Sequence, residues 1–217
     1  MKRALSEQTV ETVSQHAAAA IIAALKKYNA LQPKWISVLN RFLGGHGAVG
    51  LLRYQSDYRI DLLLRCLEDE AAISGEPNKE PEITVAIFVN DLKSALTRYW
   101  VFSTYEALRI AKNSQAGKPN AKLQALYERF RLIRIPLAKL EIANDAVLTG
   151  GVKLQRVGPG DPDIQEYKPD AKIEYHPVVL LNVHTGSLGW IVFDAATGSQ
   201  VSIFRRELSD EFLALFD

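Results

Sequence analysis

Two stretches of this chain carry side chains at spacings that could do chemistry, RYWVFSTYEALR (98–109) and RFRLIRIPLAKLE (129–141). In the first, Tyr99, Ser103 and Glu106 recur at helical spacing, and Arg109 falls one turn beyond Glu106. A carboxylate on or beside an apolar helix face needs a partner, which Arg109 or an arginine between Phe130 and Arg134 can supply. Glu106 can then serve as half of a buried ion pair that fixes the register of two helices. In an open pocket it could instead act as a general acid or base. In the second stretch, Arg131 and Arg134 carry the planar fork that suits phosphate, and Lys139 adds a point charge. Pro136 removes a backbone donor and is expected to kink or split the helix near Ile135. That would leave Arg131 and Arg134 at a helix end, with Lys139 and Glu141 in the next turn.

Charge adds to this focus. The whole chain carries a formal charge of +1, too little for the field of a strongly basic nucleic-acid binder. Between Lys93 and Lys139, however, lie ten basic and two acidic residues, a local +8 that leaves −7 for the remainder. Such a segment is either a set of solvated helix faces or a surface for polyanions.

Other sites fare less well. Gly45–Gly50 spells G-x-G-x-x-G, with Glu68 to Glu70 some twenty residues on, but WISVLNRFL before it has helical spacing and no parallel strands follow. The segment therefore reads as an interhelical loop. His176 and His184 flank one expected strand, and eight residues at ~3.3 Å each set them roughly 26 Å apart, too far to share a metal. Ser187 lies in HTGSLG, which lacks the strand-to-helix elbow of a hydrolase nucleophile. The single cysteine, Cys66, excludes an internal disulfide and follows an apolar run, as a buried structural thiol would. No metal or cofactor is expected.

Apolar periodicity defines the elements that must position these residues. Ser6 is placed as the cap of a first helix ending near Tyr28, and Pro33 opens a second that stops at Gly44-Gly45. A third covers Tyr58 to Ile73, and the turn-rich SGEPNKEP (74–81) precedes two long helices within Val85–Ile142, split at Gly117–Asn120. Beyond Gly150-Gly151 a short strand, VKLQRV, is followed by the loop GPGDPDIQEYKPD. Val178–Val183, Trp190–Ala195 and Val201–Arg205 then form an antiparallel meander around the turns HTGS and ATGS. Ser209 should cap a last helix, DEFLALF. The expected architecture is α+β and mainly α, a helical bundle over 1–146 with a β-meander appendage over 147–217 packed on it. Ala17–Leu25 lacks the flanks of a signal peptide, and no apolar run approaches the ~20 residues of a membrane span, so a cytoplasmic protein without membrane contact is expected.

A long helix bearing YWVFSTYEALR followed by FRLIRIPLAKLE resembles the HEPN (higher eukaryotes and prokaryotes nucleotide-binding) bundles over roughly the first two thirds of the chain. Their signature is an arginine, a short spacer and a histidine on a late helix, faced by a polar residue on an earlier one. Here Arg134 stands as the arginine, and Lys139 occupies the place of the histidine. The resemblance implies a homodimer through the central helices and, in many members, metal-independent ribonuclease activity. A lysine is a poor base at neutral pH but can hold a phosphate, which points to a degenerate member that binds RNA or another polyanion. With Arg134 and Lys139 from the resemblance, and Arg131, Glu106, Arg109 and Tyr99 from the spacing above, the candidate ligand-binding residues are six. Three alternatives stay open: a protein-interaction module with no nucleic-acid role, an active metal-independent ribonuclease, and an enzyme using Glu106.

Overall fold

Arg205 is a fully buried arginine, and three helices meet around its guanidinium. In the computed structural model the described residues are 12–43, 47–73, 83–113, 120–155, 164–169 and 173–216. They form an α+β fold, mainly α, with helices α1 (Val13–Lys27), α2 (Leu31–Leu43), α3 (Gly47–Ile73), α4 (Ile83–Asn113), α5 (Ala121–Lys139) and α6 (Arg205–Leu213). Strands β1 (Val152–Gln155) and β2 (Ile164–Tyr167) pair antiparallel. So do β3 (Val178–Leu181), β4 (Leu188–Asp194) and β5 (Ser199–Phe204), in the order β3-β4-β5.

Local chemistry sets the helix ends. Thr12 and Gln15 cap α1 reciprocally, while Ser6 lies outside the described residues. Pro33 is the third residue of α2, where a missing N–H costs nothing. Gly47–Gly50, read above as loop, are the first residues of α3, which corrects that assignment and makes the third helix longer than expected. Gly44–His46 and the turn-rich 74–81 lie outside the described residues. The Asn120 side chain accepts from the Leu123 N–H at 3.0 Å and caps α5. α5 runs without a break through Pro136 to Lys139 and ends at Leu140 in the left-handed region, φ 59°. Pro136 thus sits in the last turn, and the helix ends one turn later than expected.

The inward faces follow helical spacing. Trp35 and Phe42 of α2 pack on Phe212 of α6, with ring centroids 4.8 and 5.6 Å apart, and Val38 and Leu39 belong to the same core. Trp100 of α4 meets Phe130 of α5 at 5.6 Å. Trp190, Val192 and Ile203 of the sheet close the same core. A second cluster, Ile142, Tyr167, Tyr175 and Ala195, seats the β1–β2 hairpin against the chain leaving α5. β2 lies inside GPGDPDIQEYKPD, where only a loop was expected, and Tyr167 explains its pairing. This residue is buried, and its hydroxyl donates to Asp145 at 2.7 Å.

The last helix also begins elsewhere than expected. α6 starts at Arg205, directly from β5, and Ser209 lies in its interior, donating to Asp61 Oδ1 at 2.7 Å. Its N-terminal cap comes from a distant turn, where Ser187 Oγ accepts the Arg206 N–H at 3.0 Å. That turn is pressed onto α3. Gly186 has φ +64°, and a Cβ there would lie 1.9 Å from the Glu68 carbonyl oxygen, so only glycine fits.

Arg205 donates through Nε and Nη2 to both oxygens of Glu68, at 2.7 and 2.5 Å, and through Nη1 to Asp61 Oδ1. Asp61 also accepts from Trp35 Nε1 at 3.0 Å and Arg65 Nε at 3.1 Å. Burial alone would raise the Asp61 carboxyl, but the two arginines outweigh it and hold it below its usual range. Around the rim, Arg206 donates to Asp69 at 2.6 Å and to the Tyr28 hydroxyl at 3.1 Å, and Lys27 pairs with Asp69 at 2.5 Å. Despite partial burial, these donors bring the Asp69 carboxyl down to about 2.

Two outcomes follow. Arg205→Met leaves Asp61 and Glu68 buried without the cation they share, Asp61 keeping only Arg65, and should cost about 3–5 kcal/mol in chemical denaturation. The deficit should shrink on acidification, as Asp61 protonates. Asp69, with a folded value below its unfolded one, contributes stability that is present above about pH 4 and lost as the pH falls toward 2. Asp69→Asn should lack that acid slope, which amounts to about 1–2 kcal/mol after allowance for partial exposure. Denaturation midpoints between pH 2 and 6 measure it.

Candidate functional site

Antiparallel packing of α4 on α5 brings Tyr105 and Tyr127 together as a stacked pair, with ring centroids 5.2 Å apart and planes at 24°. Their hydroxyls lie 2.9 Å apart. Burial, with the bond to Tyr105, pushes the Tyr127 phenol up to about 12. The faces of the pair carry cations, Lys112 Nζ lying 4.2 Å from the Tyr127 centroid and the Arg134 guanidinium 5.3 Å from that of Tyr105. The rings therefore act as a base on which charges are mounted, while the charged tips point outward.

Two carboxylates serve the cations of this face. Glu106 accepts from Arg109 Nε at 2.7 Å. Glu128 is shared among Gln124 at 2.8 Å, Arg131 at 3.6 Å and Lys112 at 3.8 Å. Arg134, one turn past Arg131, has no carboxylate partner among the described residues. Arg109, Lys112, Arg131 and Arg134 thus stand against Glu106 and Glu128, an excess of two positive charges on one face.

The structure corrects the role expected of Glu106. Its side chain is 32% exposed and pairs within its own helix, so it does not fix the register of α4 on α5. Helix register is set instead by the buried carboxylates Asp61, which no sequence signal marks, and Glu68, which enters the sequence analysis only among the acids following a glycine loop. Of the expected site residues, Glu106, Arg109, Arg131 and Arg134 gather around the tyrosine pair. Lys139 is exposed at the end of α5, 3.8 Å from Glu141, and Tyr99 is exposed on α4. A groove between α2 and α6, lined by Pro33, Lys34, Ser37, Val38, Leu213 and Phe216, does not include Glu106.

The local +8 is also redistributed. Lys93 is buried under the β3–β4 turn, where it donates to the Gly186 carbonyl at 3.3 Å, and burial lowers its ammonium from the usual lysine range. Arg129 turns to α6, held by Glu211 and by Glu207 at 3.5 Å. Lys112 and Tyr127 are members of the site that the sequence analysis does not single out. The available signal was that Tyr105 and Tyr127 each lie on an apolar stripe flanked by cations. Compared with known protein families, curated proteins and solved structures, the chain matches none.

Because the tyrosine hydroxyls are coupled, Tyr105→Phe should bring Tyr127 down from about 12 toward ordinary tyrosine values. A pH titration of the Tyr127 ring resonances would measure this shift.

Proposed function

We propose that the α4–α5 face binds RNA, or another polyanion, through its phosphates, and that the protein is a HEPN-like, catalytically degenerate binder. The observation that carries this reading is Arg134, which is mounted on Tyr105 with no carboxylate partner among the described residues, beside cations that share two carboxylates. With the stacked rings already covered by cations, base stacking is disfavoured and backbone contact is favoured, so binding should be weakly sequence-selective. Lys139 stands where the resembled family has its histidine. It is exposed, and offers an anion a point charge. A homodimer through the central helices belongs to the same reading.

A second reading, an interaction module with no nucleic-acid role, is favoured by Arg129, whose charge is spent inside the molecule on Glu207 and Glu211. Fluorescence anisotropy with a single-stranded RNA oligonucleotide separates the two. Two to four phosphate contacts give a slope of log K against log salt between about −1.4 and −2.8. Arg134→Ala should weaken binding about three- to tenfold and flatten that slope by about 0.7. The RNA should be recovered intact. Absent or salt-independent binding would overturn the reading.

A further inference from the structure

The two edges of the three-stranded sheet differ in chemistry. β5 mixes Ser199, Gln200 and Ser202 with its apolar residues and runs on into α6. β3 is Val-Val-Leu-Leu, and no charged residue lies between Pro177 and Val183. Edge strands ordinarily carry charges, a proline or a bulge that discourage pairing with another chain; here only Pro177 does so, and it stands just outside the strand.

Strand register shows how far the bundle reaches. Val179, Trp190 and Ile203 lie side by side in one row across the sheet, on the face that meets the helices. Ile203 is 0% exposed and Trp190 3%, but Val179 is 61% exposed. Leu181, on the same face opposite Leu188, is 51% exposed. The helices therefore cover β5 and β4 and stop short of β3.

Main-chain groups leave the same edge open. Asn182 donates its N–H to the Ser187 carbonyl at 2.9 Å, so in an antiparallel ladder Leu180 and Val178 also bond toward β4. Val179 and Leu181 then turn their N–H and C=O groups away from the sheet, where these have no partner among the described residues. A little upstream the place is taken, since the Leu140 carbonyl accepts the Tyr175 N–H at 2.7 Å. Beyond Pro177 no described strand continues that line.

We propose that β3 is a docking edge, which takes up an extended segment of a partner protein as a fourth strand. The segment carries apolar side chains at alternate positions and no charge opposite Val178–Leu181. The N–H and C=O groups of Val179 and Leu181 align it, and its apolar side chains lie in the rows of those two residues and cover them where the helices do not. A second copy of the chain fits this edge poorly. Pairing Val179 with Leu181 of the second copy puts Thr185 of that copy beside Tyr175, where Leu140 already lies. The proposal uses no residue of the α4–α5 face and stands whether or not that face binds RNA.

The probe is a capped, fluorescein-labelled peptide of alternating valine and threonine with a lysine at either end. Titrated with the full chain, it should bind with a dissociation constant on the order of 10–100 μM. At saturation, amide exchange at Val179 and Leu181 should slow about tenfold or more, while Val178 and Leu180, already bonded to β4, change little. Val179→Pro removes an outward donor and none from the β4 ladder, so it should keep the wild-type circular dichroism and lose about tenfold in affinity. Leu181→Lys places a charge on the edge and should do the same. Ser202→Lys, on β5, should bind the peptide as the wild type does. Unchanged exchange at Val179 and Leu181 with the peptide in large excess, or undiminished binding by both Val179→Pro and Leu181→Lys, would overturn the proposal. So would slow exchange of these two amides in the chain alone, which would show the edge already filled, by a second copy where the slowing grows with chain concentration.

Discussion

The buried guanidinium of Arg205 constrains everything around it. A charge without access to water is tolerated only when its donors are matched, and this one needs both oxygens of Glu68 and one of Asp61. Asp61 is in turn fixed by Trp35 from α2, Arg65 from its own helix and Ser209 from α6. Trp100 of α4 lies beneath the guanidinium, 5.4 Å away. Three helices, α2, α3 and α6, therefore share one hydrogen-bond geometry, and a slip of α3 or α6 by a turn would leave a charge unmatched. Desolvation takes back much of the Coulombic attraction in such a cluster, so its contribution lies in specifying the arrangement more than in net stability.

The same cluster explains why the sheet sits where it does. β5 runs straight into α6, so placing Arg205 on α3 also places the end of the sheet there. The β3–β4 turn follows, since Ser187 must reach the Arg206 N–H and Gly186 must lie against the Glu68 carbonyl. Lys93 closes the contact from α4 by donating to Gly186. Bundle and sheet thus meet through polar contacts that only one docking satisfies.

How much of this could be read from the chain depended on range. Helical periodicity placed α2, α4 and α5 to within a few residues, and the turns HTGS and ATGS placed the meander, because both signals are local. Contacts between distant residues left no such mark. Glu68 and Arg205 are 137 residues apart, and nothing in LLLRCLEDE or IFRRELSD shows that the two meet. Ser209 looked like a cap because it precedes acidic and apolar residues, yet the actual cap, Ser187, lies in another turn altogether. β2 was hidden by Pro, Gly and acidic neighbours, which describe the loop around it and say little of a four-residue strand held by one buried tyrosine. At the site, four of the six expected residues converge, but the buried carboxylate was sought on the wrong helix. Glu106 has a partner within its own turn and needs no burial.

Counting charge along a segment proved a poor guide to the field it makes. Arg129, Arg131 and Arg134 fall within six residues of one helix and meet three different fates. Arg129 is neutralised by α6, Arg131 leans on a shared Glu128, and Arg134 rests on a tyrosine with no acid among the described residues. The difference is rotational. α5 turns Arg129 toward the acidic side of α6, and carries Arg131 and Arg134 around to the seam with α4. Phe130 and Ile133, buried on the inward face, fix that rotation through their packing. Positive charge on the outer face is therefore a product of core packing: the apolar residues that must face inward decide which arginines are left to face outward.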